Sequence, residues 1–283
     1  MPSVYLSNQS FIIVCGTSSQ SFLQGLITAD IDNLPLGIAR SSALLTPQGK
    51  ILFYFLISKR EENIFVLEID NSQLDLLVEK LLFYKLRTNV ILKVQKKIGT
   101  TLYWNQDNAP EDSYLIDERF SIANILLYRT QGHNKGSMSD SSVYHELRID
   151  HGMVDPSIDF PSSAVFPHDV FMDINKGVSF TKGCYIGQEV ISRMQHRGIA
   201  RKRPIIILGN NSLPAIGAPI LVDNKQIGIL GTAIGKKALA IARIDKVIGA
   251  IEKSLPLTVG DIQITPRFPS WSGLNFPVNS RIQ

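Results

Sequence analysis

The spacing of apolar residues changes character at Arg201-Lys202-Arg203-Pro204. Up to that point, strand-like runs alternate with runs of helical period. Beyond it come only short β-rich runs, Ile205–Leu208, Pro219–Val222, Gln226–Leu230 and Ala238–Ile244, with Asp223-Asn224 placed as a hairpin turn. Short strands of this kind close into a small barrel or sandwich. The chain therefore reads as an α+β core over residues 1–203 followed by a C-terminal β-barrel over residues 204–283.

Within the core, Phe11–Val14 reads as a strand, followed by a helix capped at Thr17 or Ser18 that buries Phe22, Leu23 and Leu26. Ser42–Thr46 and Ile51–Ile57 flank Pro47-Gln48-Gly49-Lys50, which suits a turn between two strands. Ile64–Ile69 is a further strand. Asn71 is placed to cap a helix with Leu74, Leu77, Val78, Leu81 and Leu82 on one face. Helices covering one face of a mainly antiparallel sheet is the expected arrangement. Trp104–Glu118 reads as an edge loop, Ile122–Tyr128 as a strand and Gln131–Ser141 as a Gly/Ser-rich loop. Ser142 is placed to cap a helix through His151 that stops at Gly152. Three prolines keep Asp155–Pro167 irregular, on the surface or along a cleft.

Two cysteines, Cys15 and Cys184, are too few for a disulfide scaffold and suit a reducing compartment. They are also too few for a resident iron–sulfur cluster, which takes about four protein ligands. No Lys or Arg precedes Arg40, and no apolar stretch reaches the ~18 residues of a membrane span. The expectation is a cytoplasmic (bacterial) protein, or one of the mitochondrial matrix whose presequence has been removed, with no membrane partner. The net charge of +4 is mild. Yet Lys176, Lys182, Arg193, Arg197, Arg201, Lys202 and Arg203 are opposed between residues 176 and 203 by Glu189 alone. Such a stretch attracts an anion, or it is a solvated helix face and linker.

Lys182-Gly183-Cys184-Tyr185-Ile186-Gly187-Gln188-Glu189 carries the most chemistry. Two glycines bracket a thiol, permitting tight turns and close approach of a ligand. Val190, Ile191 and Met194 then recur at helical spacing, with Gly198 as the stop. A thiol just ahead of a helix N-terminus and beside Lys182 is favoured as thiolate. Cys184 is also readable as a small buried hydrophobe, as Cys15 is within its apolar run.

This octapeptide, with Arg193, Arg197 and Gly198 after it, resembles the signature of the YgfZ family of folate-binding proteins, relatives of the glycine-cleavage aminomethyltransferases. Phe22–Asp30 is similar to that family's opening helix, and Leu45–Lys50 to its first hairpin. The resemblance implies two interleaved ferredoxin-like lobes, the second spanning roughly residues 36–115, that form a folate-binding core. It also implies tetrahydrofolate or a one-carbon-substituted folate as cofactor, and Cys184 as the functional residue. Iron–sulfur client or assembly proteins are the implied partners.

On that reading Lys182, Gly183, Tyr185, Gly187, Gln188, Glu189, Arg193, Arg197 and Arg148 are the candidate folate-binding residues, with no metal site. Tyr185, with Phe180, would wall the pterin or simply fill the core. Gln188 would bond the pterin edge or cap its own turn, and Glu189 would serve its helix start. Arg193 and Arg197, four apart, share a helix face and suit a glutamate tail or a protein partner. Arg148 would line the cleft or lie on the surface.

Aminomethyltransferases carry acidic residues on the strand after the hairpin turn. The matching positions here are Phe53 and Tyr54, which weighs against an aminomethyl transferase, the alternative function. A third reading, RNA binding through Arg193–Arg203, lacks any RNA-binding motif. The expected assembly state is a monomer.

Overall fold

The computed structural model describes residues 2–105, 114–133, 138–198 and 200–277. Most of the expected Trp104–Glu118 loop, and residues 134–137 of the expected Gln131–Ser141 loop, lie outside them. The chain begins with β1 (Ser3–Leu6), β2 (Gln9–Cys15) and α1 (Ser19–Gln24). Next come β3 (Ile38–Leu45), β4 (Ile51–Glu61), β5 (Ile64–Asp70), α2 (Asn71–Lys85), β6 (Ile91–Gln95) and β7 (Thr100–Trp104). β8 (Leu115–Asp117), α3 (Glu118–Ser121), β9 (Leu127–Gln131), α4 (Ser141–His151) and α5 (Gln188–Arg197) complete the α+β part.

Nine strands form one sheet in the order β1-β7-β9-β8-β3-β4-β5-β2-β6. Its pairings are antiparallel except β3 with β8, where Ile38 stands beside Ile116 and Ala39 beside Asp117. Alternation along β4 and β5 divides their side chains between two environments. Phe53, Phe55, Ile57, Phe65, Leu67 and Ile69 join Ile12 and Val14 of β2 in the main core, covered by Leu74, Leu77 and Leu81 of α2. The opposite face carries Tyr54, Leu56, Ser58, Val66 and Glu68. The sheet bends until its two arms touch: Thr100 of β7 donates to the Glu68 carboxylate at 2.6 Å, and Gln131 of β9 to Gln95 of β6 at 2.6 Å. This bend encloses a cavity.

β10 (Lys202–Gly209), β11 (Pro219–Val222), β12 (Lys225–Ile234), β13 (Lys237–Arg243), β14 (Thr258–Val259) and β15 (Ile262–Arg267) close a six-stranded barrel in the order β10-β13-β12-β11-β14-β15. α6 (Ile244–Glu252) packs onto the barrel through Val247 and Ala250. Asp223 and Asn224, at φ 47° and 61°, make the expected hairpin turn between β11 and β12. The protein is thus α+β with a C-terminal β-barrel.

Several local expectations need correction. The caps of α2 and α4 are Asp70 and Asp140, each accepting the N–H two residues on at 2.8 Å, not Asn71 and Ser142. Leu82 faces solvent rather than the core. Residues 122–124 turn instead of extending, because Asn124 takes φ 57° and Ile125 bonds back to the Phe120 carbonyl; the strand starts only at Leu127.

Candidate functional site

The Lys182–Glu189 segment is anchored by hydrogen bonds and close packing, and these anchors decide which side chains it presents. Lys182 turns inward: its Nζ donates to the carbonyls of Ile27 and Ala29 at 2.7 and 2.8 Å and stands 5.1 Å from the centre of the Tyr185 ring. Burial lowers the Lys182 pKa to about 8, against the opposing pull of Asp30 and Asp32. Tyr185 is a core side chain, packed with Leu45, Ile51 and Ile191, and burial raises its pKa to about 12. Gly187 takes φ +78° and caps α5; a Cβ there would stand 2.6 Å from the Thr46 carbonyl oxygen. Reciprocally, a Cβ on Gly49 would meet Val190 at 3.0 Å, so the β3–β4 turn and the start of α5 interlock. The Gln188 N–H closes the segment by donating to the Tyr185 carbonyl at 3.2 Å.

Gly183 and Cys184 are left exposed by this arrangement. Cys184 therefore does not follow the buried alternative. With Gly183 it borders a shallow depression whose other wall is α1 and its flanks: Gln20, Ser21, Gln24 and Asp32. Cys15, by contrast, sits half-buried at the end of β2. Among the described residues, no group of three or more His, Cys, Asp or Glu side chains is arranged to hold a metal ion.

The basic stretch disperses. Lys176 pairs with Glu118 at 3.2 Å, Arg193 with Glu189 four residues earlier, and Arg203 with Asp173 at 2.6 Å. Arg193 and Arg197 lie on the exposed side of α5. Arg148 is neither a surface residue nor a neighbour of the signature. Fully buried, it bonds Asp159 at 3.0 Å, the Met153 carbonyl at 3.0 Å, Thr232 of β12 at 2.8 Å and His145 at 2.9 Å. That network ties α4 to the irregular 155–159 segment and to the barrel.

The cavity inside the bent sheet has a volume of about 330 Å³. Phe11, Leu36, Ala39, Leu56 and Val66 give it apolar walls. Glu68 and Arg129 are its buried charges, with Lys59, Arg60 and Gln131 also on its lining. Arg129 bonds both Glu68 oxygens and reaches Asp117 Oδ2 at 2.9 Å, while Arg119 binds both Asp117 oxygens, Oδ1 at 2.9 Å and Oδ2 at 2.6 Å. The carboxylates hold Arg129 above the usual guanidinium range against burial, and the two guanidiniums hold Asp117 below the usual carboxylate range. Tyr54 points to this side of β4 and lines a small adjoining pocket with Arg119 and Arg129. Burial raises its phenol pKa. None of Lys182–Glu189 lines the 330 Å³ cavity, so signature and cavity are separate features of one scaffold.

Comparison with solved structures decides the architecture. The glycine cleavage system aminomethyltransferase T of Bartonella henselae superposes with a TM-score of 0.72 over 97% of this chain and 87% of its own, at 13% identity. The fold is aminomethyltransferase-like. Residues 201–274 match the C-terminal beta-barrel domain of CAF17. In sequence, the chain is similar to the mitochondrial iron-sulfur cluster assembly factor IBA57 of Mus musculus, 26% identical over 281 residues, covering 87% of this chain and 78% of that protein. It is also similar to the IBA57 homologue of Neurospora crassa, 28% identical over 242 residues and 75% of this chain. The chain spans 55% of the length of that fungal relative and 59% of the one from Neosartorya fischeri. In this aminomethyltransferase-like scaffold, Tyr54 of β4 lines the small pocket beside the cavity rather than the cavity itself, and Phe53 is in the core.

The cavity residues were missed in the sequence, although they left a signal. Glu68 interrupts the apolar run Ile64–Ile69, and Arg129 interrupts Leu127–Gln131. A charge at an inward position of a buried strand needs a partner, and the two are each other's.

Proposed function

We propose that the chain is a tetrahydrofolate-binding accessory factor for the assembly or repair of iron–sulfur proteins, acting as a monomer through Cys184. The observation that carries this reading is the presentation of Cys184: an exposed thiol on a turn fixed by Lys182, Tyr185 and Gly187. A thiol so placed is reachable by a macromolecular partner and is not consumed by the fold. It would supply one thiolate ligand to iron, or accept the sulfane sulfur of a partner's persulfide with that partner's thiolate as leaving group, and the remaining ligands of a cluster, about four in all, would come from the partner. The names of the relatives support the iron–sulfur role and a mitochondrial setting.

The cavity suits a folate in size and chemistry. Ligand sites start at roughly 300 Å³ with apolar walls and a few placed polar groups. Phe11, Leu36, Ala39 and Leu56 would hold the flat ring. The Glu68–Arg129 pair would face its polar edge, and Lys59 and Arg60 would take the carboxylates of the tail. Bound there, the folate would supply a one-carbon carrier or a redox-active ring. This placement puts the proposed folate contacts in the bent sheet rather than at Lys182, Gly183, Tyr185, Gly187, Gln188, Glu189, Arg193, Arg197 or Arg148. The alternative, aminomethyl transfer, lacks a carboxylate on β4 to steady an iminium or move a proton.

The test is rescue of iron–sulfur enzyme activity in cells depleted of their own related factor. The wild type restores activity, while Cys184→Ala, which touches no core contact, does not. Full rescue by Cys184→Ala would remove the thiol from the mechanism.

A further inference from the structure

The sheet ends at β6, and that end is unguarded. β6 pairs with β2 only, so the outer edge of Ile91–Gln95 carries backbone N–H and C=O groups bonded to no other described strand. Helix α2 runs alongside. Asp75 reaches past the end of β6 to Lys96 at 2.7 Å, which places this flank of α2 toward the edge. Leu82, seven residues on, shares that flank. Leu82 is 54% exposed and Phe83 68% on α2, with Leu86 81% exposed at its C-terminal end. Val94 is 39% exposed on the β6 face that α2 covers, while Ile91, 54% exposed, belongs to the opposite face of the strand. A monomer's surface rarely groups so many large apolar side chains without a use for them.

Charge says what the use is. Lys80, Lys85, Arg87, Lys93, Lys96 and Lys97 lie in the same stretch of chain, against Asp75 and Glu79. Six cations against two carboxylates in residues 75–97 give a local excess equal to the +4 of the whole chain. Two copies meeting edge to edge would oppose these same cations, and Lys93 on the strand itself discourages self-pairing. An acidic strand meets no such barrier.

We propose that β6 and the flank of α2 form a docking edge for an extended acidic segment of a partner protein. The segment adds a strand to β6, buries alternate apolar side chains against Leu82 and Val94, and sets its carboxylates against the lysines. Backbone pairing supplies affinity, and the cations select an acidic partner over a neutral or basic one.

The probe is a short fluorescein-labelled peptide alternating glutamate with valine, with a lysine–valine peptide as control. Both are titrated into the full chain and followed by anisotropy, with hydrogen exchange at residues 91–95 and sedimentation of the chain alone. The expected result is saturable binding of the acidic peptide at least about tenfold tighter than the basic one, weakened by salt, with added protection of β6. Leu82→Glu with Lys93→Glu, both at exposed positions, should abolish it while leaving the melting temperature in place. Equal binding of both peptides, binding unaffected by the double variant, or a dimer dissolved by that variant would each overturn the proposal. Loss of Cys184 should leave this binding intact, so it stands or falls apart from the function proposed above.

Discussion

At the scale of single residues, Gly187 and Lys182 fix how Cys184 is presented. A side chain at Gly187 meets both an unfavourable φ of +78° and the Thr46 carbonyl at 2.6 Å. Gly187→Ala should therefore destabilise the protein by about 2 kcal/mol or more in urea unfolding. An unchanged midpoint would mean the interlock of the two turns is dispensable. Lys182 gives a pH signature. Its folded pKa of about 8 lies below the free value of 10.5, so between these the unfolded chain holds a proton that the folded one has released. Stability contributed at this site rises with pH across that window and is flat below it. Lys182→Met should lose this rise relative to wild type between pH 8 and pH 10. Parallel stability curves for the two proteins would contradict the burial of this ammonium. The octapeptide was legible as a motif from its glycines and thiol. The core alternative for Tyr185 was open in the sequence, but that Lys182 serves to build the turn was not, since its partners Ile27 and Ala29 are set by tertiary packing.

At the scale of elements, strands and helices were readable wherever apolar period and turn residues agreed. β4, β5, α2 and the Asp223-Asn224 hairpin are examples. Errors came where two signals competed. Both Asp70-Asn71-Ser72 and Asp140-Ser141-Ser142 offer several caps in a row, and the carboxylate, the stronger acceptor, takes the N–H in each. Ile122–Tyr128 is apolar enough for a strand, but Asn124 in the left-handed region folds it onto Phe120. Arg148 shows the limit most clearly, because nothing in its helix announces Asp159 and Thr232 as partners. Replacing it leaves Asp159 buried without its cation. Arg148→Met should cost about 3–5 kcal/mol, and adding Asp159→Asn should restore part of that loss. A mild effect in thermal unfolding would show that α4 and the barrel are joined by apolar packing alone.

At the scale of the whole molecule, the nine-stranded sheet bends around a cavity, and the signature turn presents a thiol elsewhere on the same scaffold. This separation allows ligand binding and thiol chemistry to be varied independently. Ala39→Trp, filling the cavity, should abolish folate binding while leaving the alkylation rate of Cys184 unchanged. Cys184→Ala should do the reverse. A sequence reading could join the two features only through family resemblance, because the cavity is assembled from β2, β3, β4, β5, β7, β8 and β9 and no local pattern spans them. The most direct measurement is anaerobic calorimetric titration of tetrahydrofolate into the wild type, Cys184→Ala and Ala39→Trp. A folate site in the bent sheet predicts micromolar binding, about 8 kcal/mol, by the first two and none by the third. No heat with well-folded wild type, or undiminished binding by the filled cavity, would contradict it.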